Sequence, residues 1–373
     1  MLKNILIIVA VCIAIIAVAG FLYYNYHPTF GVKPTGERLA KIERSPHYKN
    51  GLFHNIEETE TLTTDKTKFE LFWDNLVKPK ANNLIPQNNI PVVRIDLKAL
   101  DINQDIIIWL GHSSYFIQID GKRILIDPIF NSNASPLPVG NAVFKGTDFY
   151  SVDDIPNIDY VLITHDHYDH LDYPTLKNIK DKVKEIIVPL GLGDTLVSWG
   201  YPDNSVKDLD WFEKIVADNE SLSITFAPAR HYSARRMKRF EYLWGSYVIK
   251  GSKKNLYFSG DSGYGKHFKM IGEQYGPFDF VSLDSGQYNE KWKYIHMRPE
   301  QALQASIDLK TTYYLPAHIG RFALAQHDWR EPFEIIDAER SKYDVQIIIR
   351  KIGTPIDINN PHVEIDKWWK NNE

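Results

Sequence analysis

The feature that most limits what this chain can fold into is the run Thr164-His165-Asp166-His167-Tyr168-Asp169-His170-Leu171-Asp172, which follows the apolar stretch Tyr160 to Ile163 directly. A strand there, followed by the helical pattern that opens at Pro174, puts the run on a strand-to-helix loop. His165 and His167 stand two apart in extended chain, so they project to the same side and can share one metal ion. Asp169 and His170 come slightly later and can face a second ion a short distance away. Imidazole and carboxylate together suit zinc, manganese or iron. Thiolate ligation is excluded in the globular part, because the single cysteine, Cys12, lies inside an apolar run near the start of the chain.

Three further residues stand where apolar runs end. His231 closes Thr225 to Arg230, Asp261 closes Tyr257 to Gly260, and His318 closes Tyr314 to Ala317. The simplest partition gives His165, His167 and His231 to one ion and Asp169, His170 and His318 to the other, with Asp261 bridging. Any one of the three taken alone is more often an ordinary loop residue.

The rest of the chain reads as a framework for such a loop. Strand-length apolar runs occur at 105–110, 114–119, 123–126, 160–163, 185–188, 222–227, 244–249, 255–258, 280–283, 312–315 and 345–350. Helical patterns span Pro174 to Val183, Pro299 to Leu309 and Pro332 to Tyr343, each with a proline at its first turn. The first three strands follow one another through tight turns such as Asp120-Gly121, whereas later strands alternate with helices. The expected class is α/β (α+β), two sheets face to face with helices outside, over residues 105–373. Residues 25–104 are polar and broken by proline, with only 68–77 helical, and read as an extension wrapping that domain.

Residues 1–24 are of another kind. Ile5 to Tyr24 carries no charge over twenty residues, enough at about 1.5 Å per residue to cross a hydrocarbon core of roughly 30 Å. Phe21, Tyr23, Tyr24 and Tyr26 continue it as an interfacial aromatic belt does. The expectation is a membrane anchor over 5–24; the alternative is a signal segment cut near Ala19, after Ala17-Val18-Ala19. Lys3 argues for an exported domain and Lys33, Arg38, Lys41 and Arg44 against it. Long domains translocate largely regardless of charge, which favours the extracytoplasmic side.

A formal net charge of -4 with pI near 6.4 gives no ground for a nucleic-acid partner. Arg230, Arg235, Arg236, Lys238 and Arg239 nevertheless crowd His231. They read either as a clamp for a phosphate or anionic headgroup or as a solvated basic loop. Tyr288, Trp292, Phe322 and the loop 136–150 read either as an acyl-chain groove or as core.

With these residues in place the chain resembles the metallo-β-lactamase superfamily over roughly 105–350, including Asp127 in Leu125-Ile126-Asp127-Pro128 as its first, supporting acidic motif. Within it the chain looks similar to the N-acyl-phosphatidylethanolamine-hydrolysing phospholipase D group. The match is carried by Trp109-Leu110-Gly111-His112-Ser113, Leu125 to Phe130, Leu243-Trp244-Gly245-Ser246, Gly260-Asp261-Ser262-Gly263-Tyr264 and His296-Met297-Arg298-Pro299-Glu300-Gln301-Ala302, with Tyr288 and Trp292 just before the last; His27 to Ser45 also resembles the lead-in of bacterial members. The resemblance implies a four-layer αββα sandwich and a site of two zinc ions, with manganese or iron as alternatives. It further implies His296 as a substrate-contacting or acid-base residue, Asp169 at the reacting centre, His112 and Asp127 as supports, and Arg230, Arg235, Tyr288 and Trp292 against substrate. Aspartate at 261, where common β-lactamases carry cysteine, argues against antibiotic hydrolysis.

The implied activity is a phosphodiesterase of phospholipase D type, releasing N-acylethanolamine and phosphatidate from a membrane lipid through metal-bound hydroxide. A carboxylic-ester or lactone hydrolase on the same scaffold is the alternative. A non-catalytic binding module is a third reading, and a nuclease is disfavoured by the apolar segment and the acidic balance. The partners implied are lipid and membrane, without nucleic acid, and a homodimer is compatible with them.

Overall fold

The computed structural model describes residues 1–67, 69–70, 73–74, 83–137, 139–217 and 221–371. The helix expected over 68–77 falls largely outside the described residues.

A small hairpin, β1 (Tyr48–Lys49) and β2 (Leu52–Phe53), precedes two seven-stranded sheets. The first sheet contains β3 (Ile106–Trp109), β4 (Tyr115–Ile119), β5 (Lys122–Ile126), β6 (Ile158–Leu162), β7 (Val183–Pro189) and β8 (Val206–Leu209). The second contains β9 (Lys214–Val216), β10 (Ser223–Ala227), β11 (Ser246–Lys250), β12 (Asn255–Phe258), β13 (Phe278–Asp284), β14 (Thr311–Ala317) and β15 (Gln346–Ile347). The last strand, β16 (Pro355–Asp357), returns to the first sheet, whose order is β16-β3-β4-β5-β6-β7-β8, while the second runs β15-β14-β13-β12-β11-β10-β9.

Both sheets begin antiparallel and finish parallel: β3-β4-β5 and β10-β11-β12 pair through antiparallel ladders, β5-β6-β7-β8 and β12-β13-β14-β15 through parallel ones. Parallel neighbours need a crossover, and helices supply it. Tyr173–Ile179 and Gly193–Ser198 cover the first sheet's parallel part; His267–Gln274, Pro299–Asp308 and Glu331–Glu339 serve the second. Asp172 starts the first of these by accepting the Thr175 N–H at 3.1 Å, so the last residue of the histidine run caps the next helix.

The strands read as continuous apolar runs because both of their faces are covered. On β3, Ile107 and Trp109 join the core between the sheets with Phe226, Tyr247 and Tyr257, while Ile106 and Ile108 join the outer layer with Leu176, Ile179 and Trp199. The architecture is the αββα sandwich anticipated. The carboxyl ends of β3, β5, β6, β10, β12, β13 and β14 all reach one edge of it, where an α/β framework presents its site.

Residues 27–63 lie along the domain. Their one regular helix, Gly36–Arg44, was not expected from a polar, proline-broken stretch. It is tied down by charge: Arg38 reaches Asp194 at 2.9 Å and Asp208 at 2.8 Å, and Lys41 reaches Glu213 at 2.6 Å. Leu2–Tyr26 forms one 25-residue helix with no buried residue.

Candidate metal centre

Six strand ends deliver the side chains. The β6 end carries His165, His167, Asp169 and His170; β10 leads to His231, β12 to Asp261, β14 to His318, β5 to Asp127 and β13 to Asp284. Three groups result among the described residues, each with its donor atoms within 4.8 Å of one another: His165, His167, His231 and Asp261; His112, Asp169, His170 and His318; and Asp261, Asp284, His296 and His318. The structure thus brings together all seven residues that sequence reasoning grouped, and it adds His112.

Asp261 lies between the sets. Its carboxylate is 3.1 Å from His170 Nε2 and 3.3 Å from His318 Nε2, against 3.7 Å from His165 Nε2 and 3.8 Å from His231 Nε2. His167 Nδ1 and His231 Nε2 are 3.2 Å apart, and His318 Nε2 is 3.3 Å from Asp169 Oδ2. Ligands about 2.0–2.1 Å from a tetrahedral zinc lie about 3.3–3.4 Å from each other. The spacing therefore fits cations of that size.

The hydrogen bonds behind the rings fit as well. Thr164 Oγ1 donates to Asp127 at 2.6 Å and so accepts from His165 Nδ1 at 3.0 Å. His170 Nδ1 donates to Asp127 at 2.7 Å, His231 Nδ1 to the Ile295 carbonyl at 3.0 Å, and His318 Nδ1 to Asp284 at 3.2 Å. Each of these rings, once neutral, therefore keeps its proton on Nδ1 and leaves Nε2 bare, the tautomer a metal requires. Among the described residues, buried His165 Nε2, His170 Nε2, His167 Nε2 and Asp261 Oδ1 have no hydrogen-bond partner. Orphaned buried polar atoms are costly unless something binds them, and several converging on one point fit cations.

Charge runs the same way. Burial opposes ionisation of Asp261, yet His170, His318 and His165 outweigh it and hold its carboxyl well below the usual range. Burial likewise opposes a charge on His318, but Asp261, Asp284 and Asp169 prevail and push its pKa up to about 10. His165 and His231 are driven well below the ordinary histidine value, by burial first and then by neighbouring imidazoles. Burial lowers His112 to about 3, so it stays neutral and hands Asp169 a hydrogen bond at 2.9 Å. The backbone is strained here too: His112, Asp127 and His318 have φ of 56°, 40° and 62°. Such left-handed non-glycine residues cost about 1–3 kcal/mol each and gather at functional sites.

Asp284 escaped the sequence reading. It is fully buried and bonds two rings at once, His318 Nδ1 through Oδ1 and His296 Nδ1 through Oδ2 at 2.8 Å. An aspartate closing an apolar run, as Asp261 does, was the available signal.

The four residues expected against substrate are engaged within the protein. Arg235 is 3% exposed, and its guanidinium donates to the carbonyls of Thr29, Asp166 and Leu171 at 2.6, 2.8 and 2.8 Å. It is a structural clamp. Arg230 donates to Thr59 Oγ1 and to the carbonyls of Tyr264 and Glu58. Tyr288 is buried, stacked on His327 and bonded to Glu331 at 2.5 Å, and Trp292 Nε1 donates to the Gln287 carbonyl at 2.9 Å.

Sequence comparison agrees with the geometry. A family profile described as "Beta-lactamase superfamily domain" matches residues 122–319. An uncharacterized protein of Mycobacterium tuberculosis is 34% identical over 336 residues, covering 89% of this chain and 89% of that protein. The N-acyl-phosphatidylethanolamine-hydrolyzing phospholipase D 1 of Caenorhabditis elegans is 29% identical over 66% of this chain and 73% of its own length. Among solved structures, a metallo hydrolase from the archaeon Ignicoccus hospitalis superposes with TM-score 0.53 at 21% identity, over 68% of this chain and 98% of that one, a likeness of fold.

Proposed function

The chain belongs to the beta-lactamase superfamily, and from that premise we propose that it is a two-zinc hydrolase cleaving a phosphodiester of an N-acyl-phosphatidylethanolamine-like membrane lipid. The observation that carries the proposal is Asp261, whose carboxylate stands between two histidine-rich sets. His165, His167 and His231 would hold one ion, Asp169, His170 and His318 the other, and Asp261 both. Ions held there would supply Lewis-acid activation of a water and charge neutralisation for a displacement at phosphorus.

The protein's own groups do the rest. Asp284 fixes the proton on His296 Nδ1 by accepting it at 2.8 Å, so Nε2 is the atom that faces substrate. At a phosphodiester the departing ethanolamide oxygen needs a proton, and His296 Nε2, bare while Nδ1 holds the ring proton, would first take one from the attacking water and then return it to that oxygen. His112 steadies Asp169 from behind. Two facts support a lipid substrate: the kinship with a worm protein named as a phospholipase D, and a 25-residue apolar helix with no buried residue.

The test is turnover of a lipid extract by the full chain in detergent, wild type against Asp261→Asn, with the consumed species identified. Nearly all activity is expected to vanish in the variant, together with one equivalent of bound metal. Retained turnover would remove Asp261 from the site. Wild-type activity confined to a carboxylic ester or lactone would replace the phosphodiester.

A further inference from the structure

The apolar helix does not simply project from the chain's end; its last turns are seated in the domain. Tyr23 Oη donates to the Pro136 carbonyl at 2.5 Å, and Tyr24 Oη accepts the Met237 N–H at 3.1 Å. Arg236 lies over the Tyr24 ring at 5.1 Å and donates to the Gly31 carbonyl at 3.0 Å. Phe30 packs edge-on against Tyr23, Tyr24 and Tyr168, and Tyr168 sits within the ligand run itself. The helix is therefore clasped between two loops, one following β5 and one following His231.

Both loops lie one layer from the metal ligands. The first packs Ala134 against Phe322, which meets His112 edge-on at 5.0 Å. The second is bound to the ligand run by Tyr168 Oη, which donates to the Arg235 carbonyl at 2.8 Å. Yet both turn apolar side chains outward beside the point where the helix leaves: Leu137 is 49% exposed, Val139 67% and Met237 87%. Lys238 next to Met237 is exposed as well.

We infer that Leu137, Val139, Met237 and Lys238 form a seat that rests in the headgroup and upper acyl layer of a bilayer, holding the metal edge of the domain against lipid. The occupant is lipid and not a protein, because the patch surrounds the exit of an apolar helix whose side chains are exposed from its start to Leu22. Interfacial tyrosines at that exit mark the depth of the boundary. A bare apolar loop beside a basic side chain is what an interface between hydrocarbon and anionic headgroups accommodates. The seat rests on reading Leu2–Tyr26 as a membrane segment.

The test uses the full chain in liposomes of phosphatidylcholine and phosphatidylglycerol. Cys12, the sole cysteine, carries a spin label in wild type; Val139→Cys, Met237→Cys and Asp181→Cys each carry one in a Cys12→Ser background. The side chain of Asp181, 85% exposed, belongs to the short 3-10 turn Lys180–Lys182 after the helix that follows the ligand run and serves as the aqueous control. Labels at 139 and 237 are expected to lose most of their collisions with a water-soluble nickel chelate and to gain collisions with oxygen, as the Cys12 label does, while 181 stays open to the chelate. If 139 and 237 behave like 181 while Cys12 is shielded, the seat is overturned and the anchor stands. If Cys12 itself is open to the chelate, the anchor reading falls and the seat falls with it.

Discussion

His231 is held from two sides. Ile295 fixes its ring, while Asn55 fixes its main chain, accepting the His231 N–H at 3.0 Å and donating to the His231 carbonyl at 2.8 Å. The same Asn55 oxygen accepts from Trp244 Nε1 at 3.1 Å, which gives the Trp244-Gly245 motif its purpose. Outer partners of this kind typically change metal affinity by about 10–100-fold when removed. Asn55→Ala is expected to weaken the ion at His165, His167 and His231 by that factor, measured by chelator competition, with Asn55→Asp between it and wild type. Unchanged affinity in Asn55→Ala would show that the loop holds its own shape. Arg235 makes the opposite kind of claim. Replacing it by methionine leaves three buried carbonyls unpaired, and at about 1.5–3 kcal/mol for each hydrogen bond to a charged group the loss should be about 4.5 kcal/mol or more in urea unfolding. A variant of normal stability without activity would return Arg235 to the substrate.

Among the elements, the apolar strands of the two sheets were legible because each is buried on both faces and so carries an unbroken run. The three proline-led helices were legible for the same local reason. What could not be read was closure at a distance. Strand β16 has three residues and exists because β3 lies beside it, with Ile356 opposite Ile107. Strands β8 and β9 are short and mixed in polarity, and of the run 345–350 only Gln346–Ile347 forms strand, paired with Tyr313 and Tyr314 of β14. In the site, the ligand types and their places at strand ends were legible; His112 as a neighbour of Asp169, Asp284 beneath two rings and the inward turn of Arg235 were not, because each depends on which loops meet. Gly260 is such a meeting point. Its φ is +56°, and a Cβ there would stand 2.7 Å from the Thr164 Cβ. Thr164 in turn holds Asp127 and His165. Gly260→Ala should push the Asp261 loop off the His165 loop, and the expected result is a loss of metal stoichiometry in a protein that still folds, read by metal analysis beside circular dichroism. Full metal content would show that the two loops tolerate separation.

For the molecule as a whole, the charges at this edge tie folding, pH and metal together. In metal-stripped protein His318 has a folded pKa of about 10, raised from 6.5 despite burial by Asp261, Asp284 and Asp169. A folded value above the unfolded one stabilises the fold fully below pH 6.5, and that contribution is lost as pH rises through about 10. His170 is raised in the same sense by Asp261, Asp169 and Asp127 against its burial. The carboxyls of Asp169 and Asp261 are depressed, so their share is present above 3.8 and lost in acid. Cations reverse the alkaline half of this pattern. An ion at Nε2 needs the neutral imidazole, so loading expels the protons that steady the stripped fold, and it strengthens as pH rises. The melting temperature of stripped protein should therefore fall from pH 6.5 toward about 9.5 through the loss of the His318 and His170 protons. That of loaded protein should not fall for that reason, and the gap between the two should widen with pH. Paired melts with and without chelator measure the gap directly; a constant gap would mean that the ions bind without displacing those protons, and His170 and His318 would then not be their ligands.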